Sequence, residues 1–345
     1  MLESILENNM INNLARNFCR SPFQKNLLHE SDSEIISFSE NSDEYIALTI
    51  DSISEEIETK LYNDPYLIGW MTVMVNLSDL SAVGAEPIGL LISEILPENI
   101  SNDFIKSLQR GIKDAVESSK TFVLGGDTNC GPNLILTGCA LGKCPKNKIL
   151  KRTSCKAGDI LYSTGKLGRG NAYAVNRLFG SYKNNFSYLP SAKICEALII
   201  REFASACIDT SDGAISSLDQ LMRLNNLGFY INQDLENILD GESSEITKTR
   251  GISPWLLLAG EHGEFELLFT IPSKNENDFL KAAYQKNWKP VRLGIVFQEA
   301  AIKMKLYNRN ITIDSERIRN LSFKAEGNTE LYLKRLLQYD KELIR

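Results

Sequence analysis

The chain has 345 residues, 43% of them hydrophobic, with 38 Lys and Arg against 44 Asp and Glu for a net charge of -6. That length and apolar content can bury a full core and suggest two domains, while the acidic balance argues against a nucleic-acid partner, which calls for a basic face. The N-terminus, MLESILENNM, has acids where a signal peptide carries positive charge, and no apolar run reaches membrane-spanning length, so the chain reads as soluble and cytoplasmic.

In chain order, Leu2 to Cys19 has Ile5, Met10, Leu14 and Phe18 at near-helical spacing and is predicted to be an outer amphipathic helix. Ser31 to Ile36 leads into a strand with Asp32 just ahead of it, and Tyr45 to Ile50 is a β-type run ending in Asp51. Glu55, Glu56 and Glu58 follow as what is usually a solvated acidic turn. Met71 to Val75 reads as an apolar, strand-like segment that gives out at Asn76, Ser78 and Asp79; Leu80 then begins a short helix stopped by Gly84 and Pro87. Ser101 to Ser119 is a helix with Phe104, Leu108, Ile112 and Val116 on one face. Thr121 to Leu124 runs into a loop from Gly125 to Pro132 that contains Asp127, and Asn133 to Leu141 returns as a strand.

The polar stretch Lys143 to Lys148 marks a boundary, dividing the chain into 1–148, 149–328 and a helical tail 329–345. Arg152 and Lys156 precede a strand over Asp159 to Thr164. Gly165 to Gly170 looks like a nucleotide loop, but no Ser or Thr follows Lys166 and the glycines do not fit G-x-G-x-x-G. After a helix over Ser191 to Phe203, the strand Ala206 to Ile208 runs into Asp209, Thr210, Ser211, Asp212 and Gly213, and a helix follows over Ile215 to Leu224. Asn226 to Glu245 carries little pattern; Trp255 to Leu258 leads to AGEHGEFELLFTI, whose His262 reads as a surface loop residue. The seven cysteines include no Cys-x-x-Cys pair, and Cys139 and Cys144 have no histidine nearby, so reduced thiols are expected and zinc is not.

Four probable strands therefore end in carboxylates: Asp51, Asp79, Asp127 and Asp209. Singly, each is also what a helix cap looks like. Gathered together they repel and lose hydration unless a hard cation neutralises them, and Mg²⁺ takes carboxylate oxygens together with substrate phosphates.

The stretches NLSDLSAVGAEP, GGDTNCGP, IDTSDG and GEFELLF, in this order, resemble the thiamine-monophosphate kinase branch of the PurM-like aminoimidazole ribonucleotide synthetase superfamily over roughly Ser31 to Val296. The resemblance implies a two-domain α/β fold, a homodimer formed through the N-terminal mixed-sheet domain, and ATP with several Mg²⁺ ions. It implies metal ligands at Asp32, Asp51, Asp79, Asp127, Asp209 and Asp212. ATP would meet Asp51, Gly125, Gly126, Asp127, Thr128, Arg152 and Ser211, with Arg152 gripping a phosphate and acting with Asp212 in catalysis. Trp255, Glu58 and Glu264 are candidate contacts for the acceptor. The implied reaction is ATP-dependent phosphorylation of thiamine phosphate.

Four departures from the pattern stand out. Ser33 replaces a second acid, Glu58 falls where the family carries a substrate-facing histidine, Cys130 interrupts the GGDT loop, and Gly260 to Glu266 is two residues longer with His262 inside it. They leave two rivals: a superfamily enzyme acting on another small acceptor, and a catalytically silent nucleotide-binding dimer. Selenophosphate synthesis is disfavoured, because it calls for a reactive cysteine in a glycine-rich N-terminal loop and Cys19 lies in a helical stretch.

Overall fold

A computed structural model of the protein describes residues 2–39, 41–180, 186–306 and 308–344. The N-terminal half holds helices α1 (Leu6–Ala15), α2 (Ser54–Glu58), α3 (Pro65–Ala82) and α4 (Asn102–Ser118), and strands β1 (Glu34–Ile36), β2 (Glu44–Ser52), β3 (Glu86–Pro97), β4 (Val123–Gly131) and β5 (Ile135–Pro145). The described strands form a mixed sheet in the order β1-β2-β5-β3-β4, with β3 and β4 parallel. The C-terminal half holds strands β6 (Ile160–Ser163), β7 (Ala206–Asp209), β8 (Gly228–Ile231), β9 (Leu267–Ile271), β10 (Val291–Phe297), β11 (Ile302–Leu306) and β12 (Arg309–Ile313). These make a second mixed sheet in the order β12-β11-β8-β10-β6-β9-β7, which leaves β7 at an edge. Its helices are α5 (Arg169–Leu178), α6 (Ile194–Ile200), α7 (Ala214–Asn225), α8 (Leu235–Ile238), α9 (Gly241–Arg250), α10 (Leu256–Ala259), α11 (Glu276–Gln285), α12 (Ser315–Arg319), α13 (Leu321–Ala325) and α14 (Thr329–Ile344).

Helix α3 is the central element and overturns one expectation. Met71 to Val75 is not a strand but the middle of α3, which begins at Pro65 with Asp64 accepting from the Tyr66 N–H and runs past Asp79. Leu67 to Ser78 is buried throughout. A helix that is apolar on every side loses the 3.6-residue signature and resembles a buried strand over a short window. It packs against α4 at glycine contacts: a Cβ at Gly69 would lie 2.0 Å from the Leu108 carbonyl oxygen, and one at Gly111 2.1 Å from that of Tyr66. Each fully buried Leu, Ile or Met along it, such as Met71, contributes roughly 1.5–3 kcal/mol.

Gly125 to Gly131 is likewise strand β4 rather than a phosphate loop, paired in register with Leu91 to Pro97. Glycine suits this strand because a Cβ at Gly126 would stand 2.0 Å from the Ile92 carbonyl oxygen. The weakly patterned Asn226 to Glu245 contains β8, α8 and the start of α9. The predicted tail is α14, whose Asp340 accepts from Trp255 Nε1 at 2.7 Å and Ser253 Oγ at 2.8 Å, docking it on its own C-terminal half. No helix among the described residues is long and apolar enough to cross a membrane.

Candidate active site

The two halves meet where the last turns of α3 face the end of β7. Ser78 Oγ donates to Asp209 Oδ2 at 2.6 Å across this junction, and Thr49 Oγ1 on β2 donates to Asp79 Oδ2 at 2.5 Å. Asp51 is held two residues further along β2, where its N–H donates to Asn76 Oδ1 at 3.1 Å. Asp32, just before β1, accepts from Arg152 Nη2 at 2.7 Å, and its Oδ2 is buried without a partner. Asp32, Asp79 and Asp209 each offer an oxygen within 4.8 Å of the others.

At that spacing, and at an effective dielectric near 20, each ionised pair repels by roughly 3 kcal/mol. Burial, and then the charges of Asp51, Asp209 and Asp32, hold the Asp79 carboxyl well above its usual range. Burial with Asp32 pushes Asp209 up to about 6, and Asp51 is raised mainly by burial. Burial works against the charge on Arg152, but Asp32, with Asp79 and Asp209 behind it, more than restores it. One guanidinium therefore faces a cluster that its single charge does not neutralise. A hard cation with oxygen ligands fits this donor set and the orphaned Asp32 oxygen. Ser33, at the position of the missing second acid, is buried as well and its Oγ lacks a partner.

Other predicted residues fall around this centre or away from it. Ser211 Oγ donates to Asp209 Oδ1 at 3.1 Å, and Asp212 is exposed just ahead of α7. A cavity of about 150 Å³ lined by His29, Arg152, Asp209, Ser211 and Asp212 opens beside the cluster. A larger one of about 660 Å³, lined by Lys151, Lys156, Asp159 and Phe203, contains none of these aspartates. The smaller cavity is the one on which the charged groups converge, and converging charge marks chemistry better than volume does.

Asp127 does not join the cluster within one chain. Asp51, Gly138, Ile92 and Gly126 form one cross-strand row, and the next row is Ser52, Thr137, Ser93 and Asp127. Adjacent rows face opposite sides of a sheet, so Asp127 lies on the face away from α3 and about three strand spacings, roughly 14 Å, from β2. It is exposed and accepts from Asn129 Nδ2 at 2.6 Å. Gly125, Gly126 and Thr128 sit on the same edge strand, equally exposed.

The three acceptor candidates are also redistributed. Glu58 ends α2 in solvent. Trp255 is completely buried against Tyr339 and Asp340, out of reach of any ligand. Glu264 is buried, accepts the Gly168 N–H at 2.7 Å ahead of α5, and is pushed up to about 8 by burial. It satisfies a helix start rather than a substrate. His262 is no surface residue: it packs 5.5 Å from the Tyr62 ring and 5.1 Å from that of Tyr188, and burial pulls it down to about 3.

Two other acids are drawn partly out of solvent. Burial pushes Glu261 to about 8 despite a hydrogen bond with Ser322, with Asp212 and Glu55 adding repulsion. Glu56 shares the inner face of α2 with Ile53 and Ile57, and its Oε2 is buried without a partner. The spacing of 53, 56 and 57 was the signal for it, since these positions share one side of a helix.

Comparison with known proteins gives a consistent picture. The family profile for AIR synthase related protein, N-terminal domain, matches residues 30–144. A thiamine-monophosphate kinase of Buchnera aphidicola subsp. Acyrthosiphon pisum is 31% identical over 257 residues, spanning 71% of this chain and 76% of the relative. The structure of AaThiL complexed with AMPPCP and TMP superposes with a TM-score of 0.73 at 21% identity, covering 89% of this chain and 96% of that one. A HypE–HypF complex matches with a TM-score of 0.72 at 16% identity, covering 88% and 99%. At such identities these structures establish a shared fold, the PurM-like one.

Proposed function

The chain belongs to the thiamine-monophosphate kinase family, and from that premise we propose that the aspartate cleft between the two halves is where ATP and the acceptor react. The protein is an ATP-dependent kinase that transfers the γ-phosphoryl group of ATP to thiamine phosphate, giving ADP and thiamine diphosphate. The attacking oxygen belongs to the acceptor's own phosphate, so the chain needs no nucleophile. Its task is to bring two polyanions together and offset their charge.

The observation that carries this proposal is the convergence of Asp32, Asp79 and Asp209, whose carboxylate oxygens lie within 4.8 Å of one another and whose crowding raises the Asp79 carboxyl. Those three, joined by Asp51, would hold Mg²⁺, which supplies charge neutralisation for the phosphoryl oxygens. Arg152 offers the cleft a guanidinium whose Nε is buried and unpartnered, and Asp32 aims it from the other side. Ser211 and Asp212 lie at the mouth of the cleft, where a phosphate and the departing proton can be handled. With Glu58 in solvent, the residue that most favoured a different acceptor no longer bears on acceptor choice.

We further propose a cytoplasmic homodimer and a domain boundary near residue 148. The face of the first sheet away from α3 exposes Ile50 at 68%, Leu91 at 51% and Leu124 at 54%. A contiguous apolar sheet face is a surface that a second copy covers, and Asp127 and its neighbours lie on it. The decisive experiment is a coupled ADP-release assay with thiamine monophosphate, with and without Mg²⁺. Saturable, Mg²⁺-dependent turnover is expected; ATP binding without turnover would overturn the assignment.

A further inference from the structure

The larger cavity, of about 660 Å³, lies at the end of β7 away from Asp209 and shares no lining residue with the smaller one. Three loops of the C-terminal half build it: the residues that lead into β6, the turn between α6 and β7, and the residues that follow β9. Strand register brings these loops to one end of the sheet, since Ile160 at the start of β6 pairs with Ile271 at the end of β9, and Ala206 at the start of β7 pairs with Thr270. Consecutive residues serve the two cavities, Lys151 the larger and Arg152 the smaller.

The volume falls in the range of small-molecule sites, and the lining joins an apolar wall to a cationic rim. Phe203, half-buried and edge-on to Phe279 with ring centroids 6.0 Å apart, forms the wall with Leu150 and Pro272. Lys151, Lys156 and Lys274 outnumber the single lining carboxylate, that of Asp159. Asp159 is buried and already committed, its Oδ2 accepting the Lys156 backbone N–H at 2.9 Å and Ser205 Oγ at 2.6 Å. Lys151 is held by Glu30 at 2.9 Å, whereas Lys156 and Lys274 have no ion-pair partner among the described residues. Ser154 on the rim holds a φ of 87°, a left-handed conformation that is unfavourable for a residue with a Cβ and that concentrates at ligand sites.

Two uncompensated ammonium groups beside a half-buried ring suit an anion that carries an apolar group. A phosphate ester matches this lining better than a carboxylate, because its double charge answers both lysines and its three terminal oxygens can accept from the Thr153 and Ser154 hydroxyls and the Asn275 amide. We propose that this cavity is a second ligand site, separate from the aspartate cleft, that binds a small organic phosphate without a metal. Lys156 and Lys274 meet the phosphate, and Phe203 meets the organic group. The site needs no residue of the cleft and so stands whether or not the kinase reading does.

The probe is phenyl phosphate, titrated by calorimetry in EDTA into wild type, Lys156→Ala/Lys274→Ala and Arg152→Gln, with inorganic phosphate titrated beside it. Chelating Mg²⁺ leaves the carboxylates of the cleft to repel either anion. Wild type is expected to bind phenyl phosphate saturably and several-fold more tightly than inorganic phosphate, because only the ester has a ring to lay on Phe203. Removing both lysines should weaken that binding by at least about tenfold, the effect of losing a charge-assisted hydrogen bond, while Arg152→Gln should leave it unchanged. Both lysines are exposed, so the thermal melt of the double variant should match that of wild type. Absence of saturable metal-free binding, or binding that survives loss of the lysines, overturns the proposal. Binding lost in Arg152→Gln alone would place the anion in the cleft and overturn it as well, as would equal affinity for the two anions, since the cavity would then read charge alone.

Discussion

Asp51 and Asp209 in the cleft and Asp127 on the outer face of the first sheet share one local pattern, a strand with a carboxylate, and end in opposite conditions. In the cleft, Asp51, Asp79 and Asp209 are brought together by a helix, a strand and a sheet edge, and each is fixed by a neighbour's hydrogen bond. On the outer face Asp127 stands exposed on the sheet side that also carries Leu91 and Leu124, with Asn129 its hydrogen-bond partner. The difference teaches that motif grammar does not decide whether an acid is part of a charge cluster. The side of the sheet it occupies does.

The sharpest way to break this comparison is Asp79→Asn. Removing a carboxylate from the buried cluster should lower kcat/KM by about 10³-fold. In Mg²⁺-free buffer the same change should stabilise the protein by roughly 1–3 kcal/mol, because one buried repulsion disappears. Denaturant melts of the variant that match or fall below wild type would show that the acids do not strain the apo state.

On the outer face the largest effect belongs to association. Leu124→Asp should convert a dimer mass to a monomer mass by light scattering at micromolar concentration, leaving each chain folded. A wild type already monomeric under those conditions would remove the proposed partner.

Titration separates the regions further. Asp209 is raised from 3.8 to about 6 and Asp79 is raised as well, so the folded state binds more protons than the unfolded one. Stability without Mg²⁺ should therefore fall as pH rises from about 4 through 6, and saturating Mg²⁺ should flatten that slope. Thermal melts across this range supply the check, and a metal-free protein equally stable at both ends would contradict it. The smallest effect is expected for Glu58→Gln, within about 0.5 kcal/mol in stability and unchanged in KM for the acceptor, since the side chain faces water.

The sequence by itself carried the acids Asp32, Asp51, Asp79 and Asp209, the arginine that meets them and the family, because charge type and motif order are written residue by residue. It also carried α4, where apolar and polar faces alternate cleanly, while the structure gave its cap to Ser101. Only the tertiary structure decided that Met71 to Val75 is helix, because burial on all sides erases periodicity. It alone placed Asp127 across the sheet, Trp255 under α14 and Glu264 at a helix start. Of the acids on α2, it turned Glu56 inward and left Glu58 in water, a choice made by how Ile53 and Ile57 seat that short helix against the core. Which side a residue faces is a property of packing between distant segments, and no local pattern encodes it.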